Sequence, residues 1–572
     1  MPPQPAITYH VHMSNPELHY FNISIEVVPE QNAPTDWFIP VWTPGSYLVR
    51  EFAKSIDKVA AYDAQGNVVD IQKTDKNTWR VDHGGKPYNL LYRVYAFEES
   101  VRTSFLDDTR AAIMPTSTLL YPSDVDVPVA IQLYPDNNWS TLSTPLRSAA
   151  DNPWLLFANS RDELYDSPIE IGNQDVFSFT AAGKPHNLVM IGKGNYSIDT
   201  ILPDLTRIVE AQTAIFGENP TGPYYFMVNN TSTRGGGLEH ANASCNQFPR
   251  DGYDGDGYAS FLALMSHEYF HIWNVKRLRP IELGPFDYSK ENYTTGLWVA
   301  EGFTSYYDDH ILLRTGIYTE AAYLKNLSGS INSVLNNPGD AVQSVAASSF
   351  DAWIKAYRRN ENSGNTEVSY YTKGSVLAFL LDLMIIQFSN GEQTLDDAMR
   401  AAWEQLYRPE GGGYTEAQFR QVLEQYTGGS LEPFYAAYVH GTSPLDLEAH
   451  VNAIGMQLVA EADTTAWWGM RAGANNTINN VVENGPAAAA GLNAGDHILA
   501  INNVSLPSGS TTWTEDYAAG TTLTVTVDRR GITRSFEIVL TTKPGYNYQL
   551  QPLPNLSDKQ ANNYRAWLRN RQ

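Results

Sequence analysis

Residues 266–274 read Ser266-His267-Glu268-Tyr269-Phe270-His271-Ile272-Trp273-Asn274, and the reading of the whole chain turns on them. Apolar residues recur at helical spacing from about 258 to 275. On a helix, His267 and His271 project from one face, one turn apart. Two imidazole nitrogens so placed can meet one Zn2+ at about 2.0–2.1 Å. Glu268 lies beside them, placed to take a proton from water activated by the metal. Asn274 falls on the same stripe and is a candidate to buttress a ligand. The plain alternative is two ordinary histidines on a buried helix.

Two histidines do not complete a catalytic zinc site, which needs a third protein ligand and an open position. The favoured donor is Glu301, in Leu297-Trp298-Val299-Ala300-Glu301-Gly302-Phe303, on the next expected helix. Glu282 and Glu291 are the alternatives. Both sit in the connecting loop, where rigid positioning is harder.

Outward from this centre the pattern changes twice. Residues 1–180 alternate apolar and polar in short runs, such as Phe21-Asn22-Ile23-Ser24-Ile25, between Pro, Gly, Asn and Asp. That pattern predicts an antiparallel β-domain. Residues 181–455 are mainly helical, with helices expected at 198–216, 258–275, 295–312, 318–335, 370–388, 394–406 and 415–427. Thr415 and Gln418 form a capping-box pattern at the start of the last. Strands and turns return over 456–545, and 546–572 read as a tail with a short helix. The expected class is therefore multidomain α+β.

Composition limits the function classes. A formal charge of −24 sets an overall field that repels nucleic acid, so no nucleic-acid partner is expected. The longest apolar run, Val376 to Phe388, is broken by Asp382 and is too short to span a bilayer, so no membrane span is expected. Cys245 is the only cysteine, so no intrachain disulfide can form. No leading signal segment is visible, and the compartment, cytoplasmic or periplasmic, is left open.

Particular motifs carry a family resemblance. His-Glu-x-x-His followed by Trp298-Val299-Ala300-Glu301-Gly302-Phe303-Thr304-Ser305-Tyr306-Tyr307 resembles the gluzincin metallopeptidases. His271-Ile272-Trp273-Asn274-Val275-Lys276-Arg277-Leu278-Arg279-Pro280 and Trp42-Thr43-Pro44-Gly45-Ser46-Tyr47-Leu48-Val49-Arg50-Glu51-Phe52 resemble the glycyl aminopeptidase family. That resemblance implies a β-domain, a thermolysin-like mainly helical catalytic domain and a C-terminal PDZ domain. It implies one Zn2+ per chain on His267, His271 and Glu301, with Glu268 as base. It also implies peptide substrates with a free N-terminus, Gly or Ala preferred.

Two further stretches match the wider aminopeptidase pattern. Gly235-Gly236-Gly237-Leu238-Glu239-His240 resembles a substrate-binding strand whose terminal carboxylate, here Glu239, pairs with the α-amino group; Leu and His replace the usual Met and Asn. Tyr370-Tyr371-Thr372-Lys373-Gly374 resembles an element whose tyrosine hydrogen-bonds the developing oxyanion. Tyr371 aligns with it, and Tyr370 is the alternative. Residues 485–499 resemble the bacterial PDZ signature. Trp468, Gly469 and Met470 would then form the carboxylate loop, able to take a peptide C-terminus. A zinc endopeptidase on the same scaffold is one alternative function. A PDZ-centred binding protein with a vestigial metal site is another.

Overall fold

The computed structural model describes residues 7–233, 235–409, 411–507 and 517–569. The chain divides into two compact units. The first comprises residues 1–293, 307–317 and 399–419, and the second 294–306, 318–398 and 420–572. The fold class is multidomain α+β, with a β-rich beginning, a largely helical middle and a small β-rich domain near the end.

The first unit opens with an eleven-stranded sheet. Ile7–His12 pairs antiparallel with Tyr20–Val27 and parallel with Val129–Tyr134. Alternation places Tyr9, Val11, Phe21, Ile23 and Ile25 on the buried face. Each such side chain contributes about 1.5–3 kcal/mol by leaving water. Trp37, Trp79, Leu90 and Tyr92 belong to the same core.

A five-stranded sheet follows, in the order Asp175–Ala181, Lys184–Ile191, Tyr224–Thr231, Ala243–Pro249 and Gly236–Glu239. The middle strands run parallel, and Gly236–Glu239 adds antiparallel at the edge, with Gly237 opposite Asn246. Helix α1 (Ile198–Phe216) packs against helix α2 (Gly255–Phe270) and is closed by Gly217 in the left-handed conformation, φ 76°. Buried Phe261, Leu262, Met265 and Tyr269 give α2 its inner face.

The α2 helix stops at Phe270, short of the expected 275. Trp273 is the physical reason. Its ring stacks on Phe216 at 4.8 Å between centroids, and its Nε1 donates to the Glu218 carbonyl at 3.1 Å. Tertiary packing of this side chain overrides helical continuation. The chain instead turns tightly, Lys276 N donating to His271 O at 3.0 Å, and Val275 is held at φ 119°, a costly conformation for a β-branched residue.

The expected helix at 295–312 is two pieces, Leu297–Ala300 and α3 (Gly302–Arg314), with Glu301 at the joint. The second unit contains α4 (Glu320–Leu335) and α5 (Tyr370–Ser389). The α5 helix is long and apolar enough to cross a membrane, but most of its length is buried core, including Val376, Phe379, Leu383 and Ile386. Leu395–Ala402 ends in a single π-turn over Trp403–Tyr407. The capping box at 415–427 forms, with Gln418 N donating to Thr415 Oγ1 at 3.3 Å and Thr415 N to Gln418 Oε1 at 2.8 Å.

In the small domain, Val504–Ser505, His497–Ile501, Thr522–Arg529 and Ile532–Val539 form one sheet over a core of Ile478, Leu492, Leu523, Val525 and Ile538. Residues 546–569 are more than a tail. Tyr546–Pro552 pairs with Met456–Ala462 along its full length, and α6 (Asp558–Trp567) packs on α5. Beyond α6, Arg569 Nη2 meets the fully buried Asp382 carboxylate of α5 at 2.9 Å.

Candidate metal centre

The C-terminal turn of α2 presents His267 and His271 with ring centroids 4.8 Å apart and planes at 83°. Each ring is anchored through Nδ1. His267 Nδ1 lies 2.9 Å from Asp308 Oδ2 on α3, and His271 Nδ1 lies 2.8 Å from the Asn274 carbonyl. A carbonyl only accepts, so His271 carries its proton on Nδ1. A carboxylate partner favours the same tautomer for His267. In both rings Nε2 is then the lone-pair nitrogen, the form a metal requires. This donor chemistry fits a divalent metal. Asn274 does act as a buttress, through its main-chain carbonyl, because the helix has already ended.

Asp308 is held in turn. The Asp309 N–H donates to its Oδ1 at 2.5 Å, and Ser266 Oγ donates to its main-chain carbonyl at 3.2 Å. Burial pushes its carboxyl up from the usual range, and the His267 hydrogen bond opposes that. Gln212 of α1 donates to Ser266 O at 2.8 Å, so the histidine-bearing turn is braced from both neighbours.

Glu268 is buried beneath the edge strand. A Cβ on Gly237 would collide with its carboxylate, so the strand backbone passes directly over it. Glu239, at the end of that strand, is buried as well. Oxygens of Glu239 and Glu268 and a nitrogen of His271 lie within 4.8 Å of one another. Gly45, at φ 85° in the 42–52 loop, sits against Glu239, where a Cβ would strike both carboxylate oxygens. The β-domain thus forms a wall of the Glu239 pocket. Gly235 and Gly236 lead into the strand, Gly236 at φ 78°. Arg234, which precedes them, lies outside the described residues.

Behind Glu239 is a buried cluster that sequence reasoning missed. Lys276 Nζ meets Asp166 Oδ1 at 2.7 Å, and His240 Nδ1 meets the same oxygen at 3.2 Å. Burial would push the Asp166 carboxyl up, but Lys276 and His240 hold it well below the usual carboxylate range. The cluster ties His240, which follows the Glu239 strand, to the turn following His271. Nothing in the spacing of 166, 240 and 276 signals it.

In the second unit, Glu301 is 2% exposed and caps the Leu297–Ala300 turn. Its carbonyl accepts from Ser305 N at 2.8 Å as α3 begins. The next residue, Gly302, touches Gly374 of α5, where a Cβ on either would overlap the other's backbone. Helices meeting at paired glycines approach closely, and this fixes Glu301 relative to the first turn of α5. That turn carries Tyr370 and Tyr371, stacked at 4.8 Å, and is capped by Ser369 accepting from Thr372 N at 3.2 Å. Tyr370 is buried and Tyr371 is half-buried. Lys373, fully buried, pairs with Asp340.

Glu282 lies in a 3₁₀ turn, Ile281–Leu283, and Glu291 in an irregular segment. In the PDZ-type domain, Gly469 adopts φ 74° against the Gly485–Pro486 turn, and the Trp468 and Gly469 carbonyls accept from Ala487 N and Val482 N, both at 2.8 Å. Met470 pairs with Val481.

Comparison with known proteins adds the following. Residues 260–377 match the model of the M61 glycyl aminopeptidase family, 8–173 the model of the peptidase M61 N-terminal domain, and 452–540 that of the PDZ domain. A solved aminopeptidase N family protein from Idiomarina loihiensis is 31% identical. The match covers 98% of this chain and 100% of that one, with a TM-score of 0.91. An M1 zinc metallopeptidase from Deinococcus radiodurans is 13% identical over 77% of this chain and 94% of its own, with a TM-score of 0.49. No curated protein sequence matches.

Proposed function

This chain belongs to the M61 glycyl aminopeptidase family, and from that premise we propose that it is a zinc-dependent enzyme removing the N-terminal residue, Gly or Ala by preference, from peptides. The carrying observation is the anchored pair His267 and His271 with Glu268 and Glu239 buried beside them. His267 and His271 hold one Zn2+ through Nε2. Glu301 is the third ligand. It stands at the head of α3, two turns ahead of Asp308, the residue that orients His267. Zinc supplies Lewis-acid polarisation of the scissile carbonyl and a lowered pKa for water.

The protein's own groups do the rest. Glu239, with Gly45 packed against its carboxylate, accepts from the substrate α-ammonium. The Gly235–Gly237 backbone runs along the substrate at the sheet edge. Glu268 takes the proton of the attacking water and passes it to the departing amine. Tyr371 donates its phenol hydrogen to the oxygen that gains charge. The test is to assay a glycyl-anilide and its N-acetyl form, each with and without chelator. The free compound alone should be cleaved, and only without chelator. Equal cleavage of the acetylated compound would instead point to an endopeptidase.

A further inference from the structure

The second unit contains a cavity of about 860 Å³, within the usual range for ligand pockets. Arg359 and Tyr371 line it from the helical side, and Trp467, Arg471, Asn480 and Lys543 from the PDZ-type side.

Its walls are fixed by asparagine side chains that clasp backbone at two points. Asn365 donates to Val481 O and accepts from Glu483 N, both at 3.0 Å. Asn332 donates to Tyr548 O at 2.6 Å and accepts from Tyr548 N at 2.8 Å. Asn336 makes the same pair with Tyr546 at 2.9 and 3.2 Å. Asn480 Nδ2 adds a bond to Glu361 O at 2.7 Å. Side-chain amides used in this way replace strand pairing and satisfy both groups of the peptide. The domain is therefore bolted in place, and the backbone of Val481 and Glu483 is already engaged by Asn365.

The cavity lining carries three basic side chains, Arg359, Arg471 and Lys543, against two acids, Glu361 and Glu367, in a chain of net charge −24. Arg359 and Arg471 are exposed to it, and among the described residues neither makes an ion pair. Lys543 pairs with Asp463 at 2.8 Å. Of the two acids in the lining, Glu367 accepts from Ser363 Oγ at 2.7 Å, and Glu361 is exposed. Tyr371, the oxyanion donor of the proposed mechanism, is itself in the lining, and a short peptide whose scissile carbonyl it meets continues from there to a terminal carboxylate.

We propose that this cavity receives the C-terminal end of short peptide substrates, with the guanidinium groups of Arg359 and Arg471 reading the α-carboxylate. The PDZ-type domain then serves as a fixed wall of the cavity that takes the substrate's C-terminal end. The proposal rests on the aminopeptidase reading above.

The experiment compares glycyl tri- and tetrapeptides ending in a free acid with the same peptides ending in an amide, alongside a glycyl-anilide. Charge-assisted pairing at partly exposed arginines should favour the acids by about 5- to 20-fold in kcat/KM. Arg471→Glu and Arg359→Glu should each abolish or invert that ratio while leaving the anilide within about twofold, since it has no carboxylate to lose. Equal rates for acid and amide in the wild type, or variants that depress both alike, would overturn the proposal. The same acid and amide pairs are titrated calorimetrically against Glu268→Gln, where the dissociation constants should show the same preference. Absence of all glycyl-anilide turnover would thus count against the aminopeptidase reading, while the carboxylate preference stays readable from binding.

Discussion

The turn bearing His267 and His271 and the strand bearing Glu239 stand side by side, yet they are positioned in opposite ways. On α2 the two rings are placed by helix geometry, and each is steadied by one hydrogen bond, to Asp308 and to the Asn274 carbonyl. The strand owes its position to missing atoms. Gly237 lies on Glu268, and Gly45, brought from the β-domain, lies on Glu239. A site held by hydrogen bonds can lose one and weaken by degrees. A site held by glycine contacts has no slack, because the first added carbon must displace a carboxylate.

Five substitutions, with Tyr370→Phe as a comparison, probe that contrast, from the largest expected effect down. Glu268→Gln should keep the metal and lose about 10²–10⁴-fold in kcat, the usual range for a general base. Activity within a few-fold of wild type would remove Glu268 from that role. Tyr371→Phe should lower kcat by about 10²–10³-fold with KM little changed, as expected of one oxyanion donor. If Tyr370→Phe shows the loss instead, the two stacked rings exchange roles.

On the glycine-held side, Gly45→Ala should reproduce Glu239→Ala. Each should lose about 10–100-fold in kcat/KM on free-amine substrates, from 1.5–3 kcal/mol of charge-assisted pairing. Metal content should be unchanged in both. A Gly45→Ala enzyme with full activity would show that the β-domain loop does not support Glu239. On the hydrogen-bonded side, Asp308→Ala should weaken metal affinity by about 10–100-fold without abolishing it, measured by competition with a chelator. Unaltered affinity would make the His267–Asp308 bond incidental.

The same contrast explains what the sequence could and could not show. Contiguous patterns were legible. The His267–His271 spacing, the helix at 198–216, the capping box at 415–418 and the alternation of the first strands all depend on neighbours within a turn or a strand. Long-range contacts were not. Gly45 carries no mark of Glu239 in its surroundings, and Asp166, Lys276 and His240 meet only through the fold. Asp308 and Asp309 are adjacent acids on α3, and which of them faces His267 depends on how the helix is rotated. The early stop of α2 came from Trp273 packing on Phe216, a tertiary effect that helical periodicity does not encode. The strand Tyr546–Pro552 reads as tail in the sequence because its partner, Met456–Ala462, lies some 90 residues earlier.

The most direct test of the account is metal content. Purified wild type, His267→Ala and His271→Ala are compared by atomic emission after gel filtration in metal-free buffer. One zinc per chain is expected in the wild type and little in either variant, since two protein ligands cannot hold it tightly. Near-stoichiometric zinc in either variant would contradict the account, placing the metal elsewhere in the molecule.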